Sequence, residues 1–107
     1  MTPFDVNIDT TAPAVTLRLS GELDTATAPG LRDQIVQLIS HGRSDLVFDC
    51  TDLQFIDSTG LGVLIGARAR ALAANGSVAL VGVSSALRRL LIVTGIDGLF
   101  SEPSTAA

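Results

Sequence analysis

Leu46-Val-Phe-Asp-Cys-Thr-Asp-Leu-Gln-Phe-Ile-Asp-Ser-Thr-Gly-Leu-Gly62 is the stretch on which the reading of the fold turns. Leu46-Val47-Phe48 is a short continuous apolar run, which predicts a strand buried on both faces. Asp49 to Phe55 reads as a loop whose Leu53, Phe55 and Ile56 tuck into the core. From Ser58 onward Leu61, Leu64, Ile65 and Leu72 recur at helical spacing, predicting a helix to about Ala74 that Asn75-Gly76 stops. A buried strand feeding a helix is the unit of a parallel α/β sheet.

Working outward, Phe4, Val6 and Ile8 alternate with Asp5, Asn7 and Asp9, and Val15, Leu17 and Leu19 alternate with Thr16 and Arg18. That period of two predicts two strands joined by the Thr10–Pro13 turn as an antiparallel hairpin, which Gly21-Glu-Leu-Asp24 then leaves. Thr25 or Thr27 can cap a helix to about Ser40 that admits Pro29 in its first turn, carries Leu31, Ile35, Leu38 and Ile39 on one face, and ends at Gly42. Downstream, Ser77 to Val83 reads as another buried strand, and Ser84 or Ser85 caps a third helix over Ala86–Val93 that Gly95 ends. The expected fold is a single α/β domain over residues 4–101, with loose termini at 1–3 and 102–107. Its mixed sheet of four to five strands opens with the hairpin and has helices packed on it.

The chain has 107 residues, of which 47% are hydrophobic and 17% charged, enough for one core and unlike a disordered tail. Its formal net charge is −4 and its seven basic residues are all arginine, which argues against nucleic acid and against a polybasic membrane patch. No apolar run reaches the length of a membrane span, and Cys50 is the only cysteine, so a reducing, cytoplasmic setting is the simplest reading.

Asp57-Ser58-Thr59-Gly60-Leu61-Gly62 is the richest segment. Ser58 can be read as the cap of its helix, with Gly60 and Gly62 allowing the first turn to pack closely on a neighbour. It can also be read as a hydroxyl displayed at the positive end of a helix, where a phosphate would add about −1.5 to −2 charges without unfolding the domain. Thr59 offers a second hydroxyl beside it. Gly60-Leu-Gly62-Val-Leu-Ile-Gly66 misses the dinucleotide spacing by one residue. A Ser-His-Asp triad would have to recruit His41, which reads better as a cation near a helix C-terminus. Cys50 reads as a small apolar residue. Asp49, Asp52 and Asp57 invite a divalent cation, although loop turns and solvated charge account for them better. No metal, cofactor or catalytic constellation is therefore expected. Arg68, Arg70, Arg88 and Arg89 read as solvated, while Val63 and Leu87 fall near the exposed edges of their helices and offer an apolar docking surface.

Gly21-Glu-Leu-Asp24, Leu46-Val-Phe-Asp49, Phe55-Ile-Asp-Ser-Thr-Gly-Leu-Gly62, Leu90-Leu-Ile-Val-Thr-Gly-Ile-Asp97 and Leu99-Phe100, in that order, strongly resemble the STAS domain. Within that family they are similar to the free-standing bacterial anti-sigma factor antagonists. The resemblance runs from about Val6 to Phe100. It implies a partner switch rather than an enzyme. The unphosphorylated antagonist binds an anti-sigma factor that is also a serine kinase, which frees a sigma factor. Phosphorylation inactivates the antagonist, and a serine phosphatase restores it. Ser58 matches the phosphorylated serine and Asp24 a partner-contact position, so Asp24, Asp57, Ser58, Thr59 and Gly60 are the implied binding surface, on a monomer or weak dimer. The rival within the fold is a regulatory STAS subunit of a transporter or stress-signalling complex, in which Ser58 carries no phosphate.

Overall fold

The two alternating segments pair as expected. β1 (Asp5–Asp9) runs antiparallel to β2 (Val15–Leu23), with Val6 opposite Leu19 and Ile8 opposite Leu17. The computed structural model describes residues 3–100, so the loose termini expected at 1–3 and 102–107 lie outside it apart from Pro3. After the hairpin come α1 (Ala28–Ser40), β3 (Asp45–Ile56), α2 (Ser58–Ala73), β4 (Ser77–Val81) and α3 (Ser85–Val93), then a 3-10 turn at Asp97–Leu99. The strands form one mixed sheet in the order β1-β2-β3-β4, parallel at β2–β3 and β3–β4. A hairpin, a four-stranded mixed sheet and packed helices match the expected class.

One face of that sheet makes the core. Val15 and Leu17 lie in register with Leu46 and Phe48, which lie in register with Val78 and Leu80, and all six are buried. Leu31 and Ile35 of α1, Leu61 and Leu64 of α2, and Leu87 and Leu91 of α3 close over them as a single cluster. The other face stays open: Thr16, Val47, Ala79 and Val81 are only half-buried, and Arg18 reaches 4.0 Å from Asp49 across it. The apolar run Leu46–Phe48 and the segment from Ser77 were expected to be buried on both faces. Both strands are instead covered on one side, because the helices bury their stripes against the same face and small apolar residues suffice on the other.

β3 is the larger surprise. The segment Asp49–Phe55, expected as a loop, is strand, and β2 does not end at Gly21 but continues to Leu23 beside it. The register slips twice, between Arg18/Ser20 and between Gly21/Glu22, each time placing one extra residue of β3 against β2. Each bulge consumes a residue. The residues facing the core therefore fall at Cys50, Leu53 and Ile56, every third position instead of every second. Gly21 takes φ 82 at the second slip, a backbone that a side chain would strain. Phe55, expected in the core, is turned out by the same bulge and is 51% exposed.

Other departures have simple causes. Leu72 is exposed, because the buried stripe of α2 runs through Leu61, Leu64, Ala67 and Ala71, a spacing that Leu72 misses. Leu87 is buried rather than edge-exposed. β4 stops at Val81, where Gly82 (φ 65) turns the chain so tightly against Thr51 that a Cβ would collide with it. The Arg43 guanidinium donates to the carbonyls of Thr10, Ala12 and Pro13, tying the hairpin turn to the start of β3.

Cys50 is fully buried, and burial, aided by the Asp49 charge, pushes its thiol from 9.0 up to about 12. The folded chain then keeps a proton that the unfolded chain gives up above about pH 9. Cys50 therefore adds no pH dependence below pH 9 and lowers stability as pH rises from there toward 12. Urea titrations at pH 8 and pH 10 should show a smaller loss for Cys50→Ala than for the wild type. Alkylation of the thiol at pH 8 should require urea.

Candidate functional site

Two chain segments that are distant in sequence meet at one end of the sheet. The amide of Asp57 donates to the carbonyl of Leu23 at 3.2 Å, bringing the start of α2 against the end of β2. Gly60 seats that turn: a Cβ there would lie 2.8 Å from Leu23 Cγ, 2.9 Å from Leu23 O and 2.9 Å from Ile56 Cγ1. Of the two glycines expected to allow close packing, only Gly60 does so, since a Cβ on Gly62 meets nothing within 4 Å.

Asp57, not Ser58, caps the helix. Its Oδ1 accepts from the Gly60 amide at 2.9 Å while its backbone is extended, the arrangement of an N-cap. Ser58 is consequently the first helical residue. It is exposed, and its hydroxyl has no partner among the described residues. The amides of Ser58 and Thr59 are among the orphan donors that open any helix, at the positive end of its dipole.

On the facing loop, Asp24 Oδ1 accepts from the amides of Ala26 (3.0 Å) and Thr27 (3.1 Å), and the Asp24 amide donates to Thr27 Oγ1 at 2.9 Å. This Asx turn launches α1: Thr27 is the N-cap by position, but its side chain makes no capping bond, and the Ala28 amide donates to the Asp24 carbonyl at 2.8 Å. Asp24 Oδ2 takes no bond within the described residues, so the carboxylate shapes the loop with one oxygen and leaves the other unbonded there.

The two loops touch through Thr25. Its hydroxyl lies 3.4 Å from Thr59 Oγ1 and donates to Asp57 Oδ2 at 3.5 Å. Asp24, Asp57, Ser58 and Thr59 thus lie on one surface, with Gly60 buried as its floor. Thr25 belongs to it and was read only as a helix cap, because nothing local announces a contact across 34 positions. Beside the surface, a hollow of about 200 Å³ between α1 and α2 is lined by Ala28, Pro29, Arg32, Thr59 and Val63.

The other candidates lie elsewhere. His41 is the C-cap of α1, with Nδ1 2.7 Å from the Gln37 carbonyl. Asp49 accepts from both the hydroxyl and the amide of Thr51, and Asp49, Asp52 and Asp57 do not gather into one cluster among the described residues. No helix among those residues is long and apolar enough to cross a membrane.

Comparison with known proteins gives a consistent picture. The family model described as "Mlab, STAS domain" matches residues 6–101. The anti-sigma-B factor antagonist of Bacillus subtilis strain 168 is 34% identical over 96 residues, spanning 90% of this chain and 87% of that protein. The structure of the Bacillus cell fate determinant SpoIIAA in its phosphorylated form is similar at a TM-score of 0.74 and 25% identity, over 96% of this chain and 93% of that one. An anti-sigma factor antagonist from Mycobacterium paratuberculosis reaches a TM-score of 0.80 at 26% identity, over 96% and 88%.

Because Asp57 carries the cap, Asp57→Ala should cost about 1 kcal/mol in urea denaturation, whereas Ser58→Ala should change stability little. Gly60→Ala should destabilise by about 1–3 kcal/mol through overpacking. Gly62→Ala, made in open space within a helix, should instead stabilise by about 0.5–1 kcal/mol.

Proposed function

The chain belongs to the STAS domain family, and from that premise we propose that it is an anti-sigma factor antagonist controlled by phosphorylation of Ser58. In its unphosphorylated form it binds an anti-sigma factor that is also a serine kinase and so releases a sigma factor in the cytoplasm. The kinase supplies ATP, magnesium and the catalytic base, and this chain is ligand and substrate. A serine phosphatase restores the binding form.

The observation that carries this reading is the division of labour at the start of α2. Asp57 holds the helix end, leaving Ser58 exposed with a hydroxyl that no other described residue uses. Modifying such a group leaves the fold's own bonds in place. Thr59 suits the role less well, since its hydroxyl is shared with Thr25. The relatives support the same reading: one is named as an anti-sigma-B factor antagonist, and SpoIIAA has been solved in a phosphorylated form.

The physics of the switch is local. A phosphate at Ser58 adds about −1.5 to −2 charges beside the carboxylates of Asp57 and Asp24, on a chain whose net charge is already −4. A partner shaped for a neutral hydroxyl must then desolvate that charge. A penalty of about 1.4 kcal/mol weakens binding tenfold, and like charges forced together cost several times that. Asp24 Oδ2 and the Thr25–Thr59 pair supply polar contacts on either side of the switch.

Intact-mass analysis of the chain from its native cytoplasm, with fragmentation across Phe55 to Arg68, should place one phosphate on Ser58. Ser58→Ala should bind the purified anti-sigma factor whatever the ATP supply, with an unchanged melting temperature, and Ser58→Asp should bind at least tenfold more weakly. A chain left unmodified under every growth condition would point instead to the regulatory subunit without a phosphorylation switch.

A further inference from the structure

Away from the Ser58 surface, an apolar groove opens at the edge of the core. It runs between the end of β3 and α3, where two hollows of about 150 and 280 Å³ share Ala86 and Leu90. Leu53 and Phe55 line one side, and Ala86, Arg89, Leu90 and Val93 the other. Phe55 is 51% exposed and Val93 77%. Exposed apolar side chains gathered in a groove with a cation at the rim mark a place where another chain seats. An aromatic ring and an arginine are the usual anchors of such an interface.

We infer that this groove is the second half of the docking surface for the anti-sigma factor. Its occupant is an amphipathic segment of that partner, apolar against Phe55, Leu90 and Val93 and bearing a carboxylate against Arg89. The inference rests on the partner-switching reading above and adds where, and through what chemistry, the partner extends. Two observations select this occupant. The first is charge: Arg89 stands at the rim of the groove on a helix without acidic residues, in a chain of net charge −4, and makes no ion pair among the described residues. A second copy seated on the same face by a two-fold axis would set the two Arg89 side chains against each other. The second is continuity. Phe55 and Ile56 line the groove and Asp57 caps α2, so the groove begins three residues before Ser58, about 10 Å along a strand. A partner with a standard footprint of roughly 800 Å² centred on Ser58 therefore reaches it.

The test uses the full chain and the purified anti-sigma factor from the same genome. Affinity is measured by calorimetry for the wild type, Arg89→Glu, Arg89→Lys, Val93→Glu and Ser58→Asp, and amide exchange is measured in the complex. All three altered positions are exposed, so melting temperatures should stay close to the wild type. Arg89→Glu and Val93→Glu should each weaken binding at least tenfold and Arg89→Lys less than threefold, and the amides of Ala86–Val93 should gain protection in the complex. Affinities within twofold of the wild type for both Glu variants, with Ser58→Asp still defective, would overturn the groove and leave the switch standing. A wild-type chain that fails to bind the anti-sigma factor would overturn both together. A dimer in sedimentation that Val93→Glu dissolves, with anti-sigma affinity unchanged, would assign the groove to a second copy and overturn the inference.

Discussion

The close approach of the first turn of α2 to the end of β2 is the contact on which the site depends. The Leu23 carbonyl takes the Asp57 amide, and Gly60 lies where any side chain would strike that same carbonyl. Leu23 is fully buried, so the anchor belongs to the core rather than to the surface. From it the chain leaves in two directions: forward through Asp24 and Thr25, and across to Asp57, Ser58 and Thr59. The Thr25 hydroxyl then closes the gap between them. The position of the Ser58 hydroxyl is therefore inherited from a packing contact, which is why an exposed loop can hold a reproducible shape.

That arrangement also separates two jobs that short polar side chains usually share. Serine at a helix start commonly accepts a backbone amide, and phosphorylating it there would disturb the helix it holds. Here the aspartate one residue earlier takes the amide, and on the facing loop Asp24 does the equivalent work with one of its two oxygens. Ser58 can then be altered without disturbing the residue that holds the helix.

Much of this was legible in the sequence, and the failures share a cause. Strict alternation in β1 and the first part of β2, the 3.6-residue face of α1 and the glycines after α1 and α3 all carry local periods or local strain, and they placed those elements correctly. β3 past Asp49 was missed because two bulges stretch its inward spacing to three, a rhythm that belongs neither to a strand nor to a helix. Phe55 was assigned to the core by its chemistry, since the one local sign of the slip that rotates it outward, Gly21, lies on the neighbouring strand and reads equally as a strand end. At the site, Asp24, Ser58 and their neighbours were individually visible as motif residues. Thr25 was invisible because its partner lies 34 positions away. Ser58 was offered as a cap because serine and aspartate are nearly equivalent there, and only geometry distinguishes them.

The uneven length of β3 has a consequence for association. β4 pairs with it only from Asp45 to Asp49, so the remaining seven residues have a strand neighbour on the β2 side alone. An open edge of that length would ordinarily invite a strand from another molecule, the first step toward aggregation. The two slips in register spoil its row of donors and acceptors, the exposed Asp52 puts a charge on it, and Gly82 turns the chain against Thr51 where β4 leaves. The longest exposed backbone edge of the sheet is thus displayed in a form that a stray strand copies poorly.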